Sequence, residues 1–174
     1  MPHNVKVPDY VIDRIMAKRG KLEVFEKFDP AKTAFLVVDM QNFYVAEVET
    51  ARSIVPNINR LASACRGKNI PVFWLTMSVA EKEGDPSQWP LYHEYFFTPA
   101  KGMNHLAKLS PGNWGHEIYK ELDVQADDRI VSKRRFSPFI VGSSDLHDQL
   151  KVLRVENLIV AGTATNMCSE STAR

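Results

Sequence analysis

The sequence predicts an α/β domain built on a central parallel sheet, and three features carry that prediction. Two apolar runs, Thr33 to Asp39 and Ile70 to Thr76, are nearly continuous in Val, Leu, Phe and Trp, the pattern of strands buried on both faces. Between them, residues 53–68 place Ile54, Ile58, Leu61, Ala62 and Cys65 at helical spacing. Two further short runs, Arg129 to Ser132 and Asn157 to Ala161, alternate with another helical stretch. Strands alternating with helices fold into a parallel sheet through right-handed crossovers.

Residues 1–30 read as an N-terminal arm, extended from Val5 to Pro8 and then helical from Tyr10 to Lys18. Ile12, Ile15 and Met16 share one face of that helix, which is suited to pack on its own domain or on a neighbouring subunit. Residues 31–174 read as the domain proper. Its first strand stops at a carboxylate, Asp39; Ser53 is placed to cap the helix that follows, and Gly67 sits near that helix's end. Residues 81–116 hold Pro86, Pro90, Pro99 and Pro111 and the glycines 84, 102, 112 and 115 among aromatic residues. Such a stretch predicts a long irregular loop acting as a lid. Trp89, Tyr92, Phe96 and Trp114 belong to that lid or to an oligomer contact. Ser143 or Ser144 caps a helix running to about Leu153, and residues 162–168 form a tight turn that opens a new helix. That helix has barely begun at Arg174, so the sheet is expected to be open on one side and the C-terminal part of the domain to be missing.

Composition narrows the classes of function. The chain has 174 residues, 44% hydrophobic and 25% charged, which is ordinary for a globular protein. At this size roughly 70% of the unfolded surface is buried, enough for a core without covalent staples. Lys and Arg total 22 against 21 for Asp and Glu, a balance that argues against a nucleic-acid or polybasic membrane surface. No apolar run approaches the ~18 residues of a membrane span, and the N-terminus lacks a signal-peptide core. Cys65 and Cys168 are too few for a disulfide framework or a cysteine-rich zinc site. A cytoplasmic protein is expected.

Ligands of open parallel sheets bind beyond the carboxyl ends of the strands. Asp39 ends the first strand, Lys133 follows the third and Cys168 follows the fourth. A cysteine at a helix start is expected to favour the thiolate, and a neighbouring Lys133 ammonium lowers its pKa further. Asp39 is then placed to take the thiol proton and pass it to a leaving amine. Each residue also has a plainer reading. A cysteine is most often a small buried hydrophobe, as Cys65 is on its apolar helix face; an Asp at a strand end often caps a turn; Lys133 sits in a basic Lys-Arg-Arg turn.

Three blocks shift that balance: Phe35-Leu-Val-Val-Asp-Met-Gln-Asn-Phe43, Val131-Ser-Lys-Arg-Arg-Phe-Ser-Pro-Phe139 and Ala161-Gly-Thr-Ala-Thr-Asn-Met-Cys-Ser-Glu-Ser-Thr172. In order and spacing, from about residue 30 to the end, they resemble the signature blocks of the isochorismatase-like cysteine hydrolase superfamily. The resemblance implies a Rossmann-like three-layer α/β/α fold and a Cys-Asp-Lys triad, with the nucleophile on Cys168, the acid/base on Asp39 and the lysine on Lys133. It also implies a cis peptide between Thr163 and Ala164, aiming the N–H groups of Ala164 and Cys168 at an oxyanion. Within the superfamily the third block is most similar to the ureidoacrylate amidohydrolase and carbamoyl-amidase branch, although Phe136 and Pro138 depart from that pattern.

Nicotinamidases of this superfamily carry metal-binding histidines after the second strand. Here Thr76-Met-Ser-Val-Ala-Glu-Lys-Glu-Gly84 has none, and the five histidines lack ligand spacing. No metal and no cofactor are expected. Isochorismatases proper typically lack the cysteine, so Cys168 points to C–N hydrolysis of a small amide or ureido substrate through a thioester-type intermediate. Isochorismatase-type or nicotinamidase-type hydrolysis and a non-catalytic relative are the alternatives. A flavodoxin-like binder would need a phosphate loop after the first strand, and Met40 to Tyr44 is not one. Expected pocket residues are Gln41, Asn42, Phe43, Tyr44, Trp74, Arg135, Phe136 and Phe139, with Arg135 available to a substrate carboxylate. The protein is expected to be a homo-oligomer.

Overall fold

The sheet forms from the four runs that the sequence marks as strands: β1 (Thr33–Val38), β2 (Val72–Met77), β3 (Arg129–Lys133) and β4 (Asn157–Gly162). In the computed structural model, which describes residues 6–79, 84–85 and 88–174, all neighbours are parallel and the strand order is β3-β2-β1-β4. Val5 of the expected arm, Pro86 of the expected loop and residues 80–83 lie outside the described residues.

Every residue of β1 and of β2 is buried, as their unbroken apolar runs require. Alternate side chains enter opposite layers. Phe35, Val37, Val72 and Trp74 pack with the apolar stripe of α3 (Glu49–Arg66), whose Val55, Ile58, Ala62 and Cys65 face the sheet. Ala34, Leu36, Val38, Phe73 and Leu75 pack on the other side with Leu146 and Leu150 of α5 (Leu146–Val152). The result is a three-layer α/β/α sandwich. The outer strands are less covered: Ile130 of β3 is 61% exposed and Leu158 of β4 is 40% exposed.

Several elements differ from expectation. The helix after β1 begins at Glu49, four residues before Ser53, whose hydroxyl donates back to the Thr50 carbonyl from inside the helix. A short helix, α2 (Asn42–Val45), precedes it. The stretch read as an irregular lid contains a π-helical turn over Leu91–Phe96 and a regular helix, α4 (Pro99–Leu109). Pro99 occupies the first turn, where its missing N–H costs nothing, and His105, Leu106 and Leu109 bury one face. The proline and glycine count obscured that spacing. Helix α1 (Asp9–Arg19), close to the predicted span, ends at a left-handed Gly20 and buries no residue. Among the described residues no helix is long and apolar enough to cross a membrane.

Candidate active site

The strand order reverses between β1 and β4, because β2 and β3 extend one way from β1 and β4 lies on the other side. At such a switch point the loops leaving neighbouring strands diverge and open a crevice. Asp39 leaves β1 there with φ 53°, a left-handed geometry that Asp tolerates better than most residues. Its N–H donates to Leu75 at 2.9 Å, tying the strand end to β2. Gly162 ends β4 at φ 143°, and a Cβ there would stand 2.1 Å from the Val38 carbonyl oxygen, so only glycine lets the two strand ends approach. The Thr163 hydroxyl then donates to the Asp39 carbonyl at 2.6 Å, and Ser169 Oγ donates to the Thr163 carbonyl at 2.8 Å. These bonds shape a π-helical turn over Thr165–Ser169, followed by α6 (Glu170–Ala173). The turn carries Cys168.

Lys133, the last residue of β3, reaches across the end of β2 to join the other two. Its Nζ lies 3.1 Å from Asp39 Oδ2 and 3.3 Å from Cys168 Sγ, with Met77 Sδ at 3.5 Å and the Arg135 carbonyl at 3.4 Å. Asp39 and Lys133 are 0% exposed and Cys168 3%. The fold thus brings together all three residues nominated from the sequence. Among the described residues neither Asp39 carboxylate oxygen has a hydrogen bond of regular geometry, so the neighbouring ammonium compensates the charge while the lone pairs remain open.

The electrostatics correct one expectation. Burial, reinforced by the Asp39 carboxylate and only partly opposed by Lys133, pushes the Cys168 thiol up to about 12. These surroundings draw Cys168 toward the thiol, the opposite direction to the thiolate expected from a helix start beside a lysine. Burial pulls the Lys133 ammonium down, but Asp39 and Cys168 outweigh it and its pKa is raised.

The backbone corrects a second. The described residues contain no cis peptide, so the bond between Thr163 and Ala164 is trans; the turn is made by left-handed Ala164 at φ 51°, ψ 50° after Gly162.

A cavity of about 600 Å³ opens over this turn, walled by Gly162 to Thr165 and Met167, by Phe43, Tyr44 and Ile54, and by Phe97, Lys101 and His105 from the lid. Tyr44 feels both Asp39 and Cys168: burial first, then the Asp39 carboxylate, hold its hydroxyl well above the usual phenol range. Of the expected pocket residues, Phe43 and Tyr44 line this cavity and the others do not. Gln41 is fully buried, its amide clasping the Met77 backbone on both sides and donating to the His116 carbonyl at 2.9 Å. Asn42 donates to the Trp114 carbonyl. Trp74 faces α3, its indole N–H bonded to Asp128 at 2.8 Å. Arg135 lies over the Trp89 ring and donates to the Arg134 carbonyl at 2.7 Å. Phe136 packs among Trp89, Tyr92 and Phe96, and Phe139 borders a smaller cavity beside α5. Of the two serines expected to cap α5, Ser144 accepts the Leu146 N–H at the helix start, while Ser143 accepts the backbone N–H groups of Arg134 and Arg135 and pins the turn after Lys133.

Lys101 and His105 were missed. They lie four residues apart on α4 and so on one face, a signal the sequence contained once residues 99–109 are read as helix. Tyr92, noted only as a lid aromatic, shares a hydrogen bond with His105 Nδ1 at 2.6 Å.

Comparison with known proteins agrees with this architecture. A model of the isochorismatase domain matches residues 33–174. A cysteine hydrolase from Pseudomonas syringae pv. phaseolicola 1448A superposes with a TM-score of 0.72 at 28% identity, over 87% of this chain and 68% of its own. An isochorismatase family protein from Burkholderia thailandensis gives 0.67 at 25%, over 85% and 72%. N-carbamoylsarcosine amidase from Thermoplasma acidophilum shares the fold, at 0.62 and 19% identity over 82% and 73%.

Proposed function

We propose, from the premise that the chain belongs to the isochorismatase family of hydrolases, that it cleaves a C–N bond in a small amide or ureido substrate with Cys168 as nucleophile. The observation that carries this reading is the buried contact of the Lys133 ammonium with both Asp39 and Cys168, at 3.1 and 3.3 Å, beside a carboxylate whose lone pairs are otherwise open. The N-carbamoylsarcosine amidase that shares this fold supports the reading.

The resting thiol dictates the order of proton movements. As Cys168 Sγ bonds to the carbonyl carbon, its proton passes to Asp39, the adjacent open acceptor. The oxyanion is held by backbone N–H groups of the turn that carries Cys168, each contributing about 3 kcal/mol at the transition state. Asp39 then protonates the nitrogen, the C–N bond breaks and the amine departs, leaving a thioester, or a thiocarbamate from a ureido substrate. Water attacks this carbonyl while Asp39 takes its proton. The C–S bond breaks, the proton returns to sulfur, and the acid or carbamic acid leaves. Lys133, whose pKa is raised, stays charged throughout and sits beside the Asp39 carboxylate as its counter-charge. Ammonia release from ureido acids, N-carbamoyl amines and simple amides tests the reading. Release by the wild type and none by Cys168→Ala is expected; release retained in Cys168→Ala overturns it.

A further inference from the structure

Among the described residues, the cavity over the turn that carries Cys168 has one charged side chain on its wall, and it stands apart from the Asp39–Lys133–Cys168 cluster. Lys101 projects from the first turn of α4 onto the cavity, its Nζ 4.8 Å from the centre of the Phe97 ring. Among the described residues no carboxylate pairs with it. Its polar neighbour on the same face, His105, is held neutral, since burial and the nearby ammonium lower its pKa to about 4. The rest of the wall is mostly apolar: Phe43, Tyr44, Ile54, Phe97 and Met167. Lys101 is an exposed residue on the cavity wall, so its ammonium is available to an anionic group of a bound molecule rather than held in an internal ion pair. Asp39 cannot offset that charge, because Lys133 already neutralises it at 3.1 Å.

Arg135, the cation expected to meet a substrate carboxylate, is engaged on Trp89 and the Arg134 carbonyl and lies off the cavity wall. We propose that Lys101 is the specificity-determining cation of this cavity and selects substrates that carry a carboxylate on an apolar body. The apolar body lies against Phe43, Phe97 and Met167, the carboxylate meets the Lys101 ammonium, and the scissile carbonyl faces the Cys168 turn. This rests on the proposed reading that the cavity receives the substrate of Cys168.

Binding of two isosteric probes, phenylacetate and phenylacetamide, tests the charge preference without requiring turnover. Ligand-observed NMR titrations on wild type and Lys101→Met provide the affinities; methionine keeps the helix propensity and the apolar stem of an exposed position. Wild type is expected to bind phenylacetate at least ten-fold more tightly than phenylacetamide, and Lys101→Met to lose that preference. Lys101→Glu is expected to reverse it. Equal affinities in wild type, an unchanged preference in Lys101→Met, or binding of neither probe overturns the proposal. Absence of ammonia release from every substrate, with the charge preference intact, would instead count against the C–N hydrolase reading and leave the anion site standing.

Discussion

The Asp39–Lys133 pair is the most consequential buried interaction in the molecule, and a double-mutant cycle measures it. Both side chains are 0% exposed and 3.1 Å apart. Lys133→Met keeps the stem and removes the charge, leaving the Asp39 carboxylate buried without any hydrogen bond among the described residues. Breaking such a pair from one side costs about 3–5 kcal/mol, because the surviving charge is neither solvated nor compensated. Asp39→Asn strands the ammonium among weak acceptors, a sulfur at 3.3 Å, a thioether at 3.5 Å and a carbonyl at 3.4 Å. Asparagine also tolerates φ 53°, so the substitution isolates the charge from backbone strain. A cost of about 3–5 kcal/mol is again expected. In the double variant no charge is stranded, and it should be more stable than the sum of the single losses predicts by about 2–3 kcal/mol. Urea denaturation of the four proteins at pH 7, followed by circular dichroism, gives the cycle. Additivity within about 0.5 kcal/mol would refute the reasoning, since it would mean that the two charges are solvated independently.

Gly162→Ala is expected to destabilise the fold by several kcal/mol, as the new Cβ would stand 2.1 Å from the Val38 carbonyl at φ 143°; a midpoint shift in urea worth less than about 1 kcal/mol would contradict the close approach. His105 binds fewer protons folded than unfolded, with its pKa lowered from 6.5 to about 4 by burial and by Lys101, and its ring faces Tyr92, Phe43 and Phe97. Stability is therefore full above pH 6.5 and falls as pH drops toward 4, by at most about 3 kcal/mol, and His105→Gln should flatten that slope. Dialysis against EDTA should leave ammonia release unchanged, because among the described residues no group of three His, Cys, Asp or Glu side chains could hold a metal ion; loss restored by zinc would overturn that.

The parts legible in the sequence were those with one physical cause. A strand buried on both faces has to be apolar throughout, so β1 and β2 read directly. Asp39, Lys133 and Cys168 each fall at a strand end or just beyond one, where an open parallel sheet exposes its chemistry. The pocket wall was harder because several causes compete there. Gln41 adjoins Asp39 in sequence, yet it is drawn inward by the unpaired backbone groups at the end of β2. Trp74 was open to either layer, and its buried N–H decided the matter by finding Asp128. The direction of the Cys168 shift was not legible because helix position and lysine proximity are local signals, whereas desolvation depends on everything packed around the thiol.

Lys133 joins the stability of the sheet to the existence of the site. Strand β3 is an edge strand with little apolar burial of its own: Ile130 is 61% exposed, and Val131 is its one residue in the hydrophobic core. What crosses the sheet from β3 is the lysine stem, passing Met77 at the end of β2 and ending on Asp39 at the end of β1. An unbranched side chain can make that crossing, and an unbranched thioether beneath it leaves room. Strand β3 is therefore docked partly by the same ion pair that holds the carboxylate of the proposed mechanism. Without β3 in register Asp39 would lose the counter-charge that offsets its buried carboxylate at 3.1 Å. The contact of Lys133 with Asp39 and Cys168 exists only while the edge strand is docked, which ties the proposed chemistry to the folded state more tightly than any local motif does.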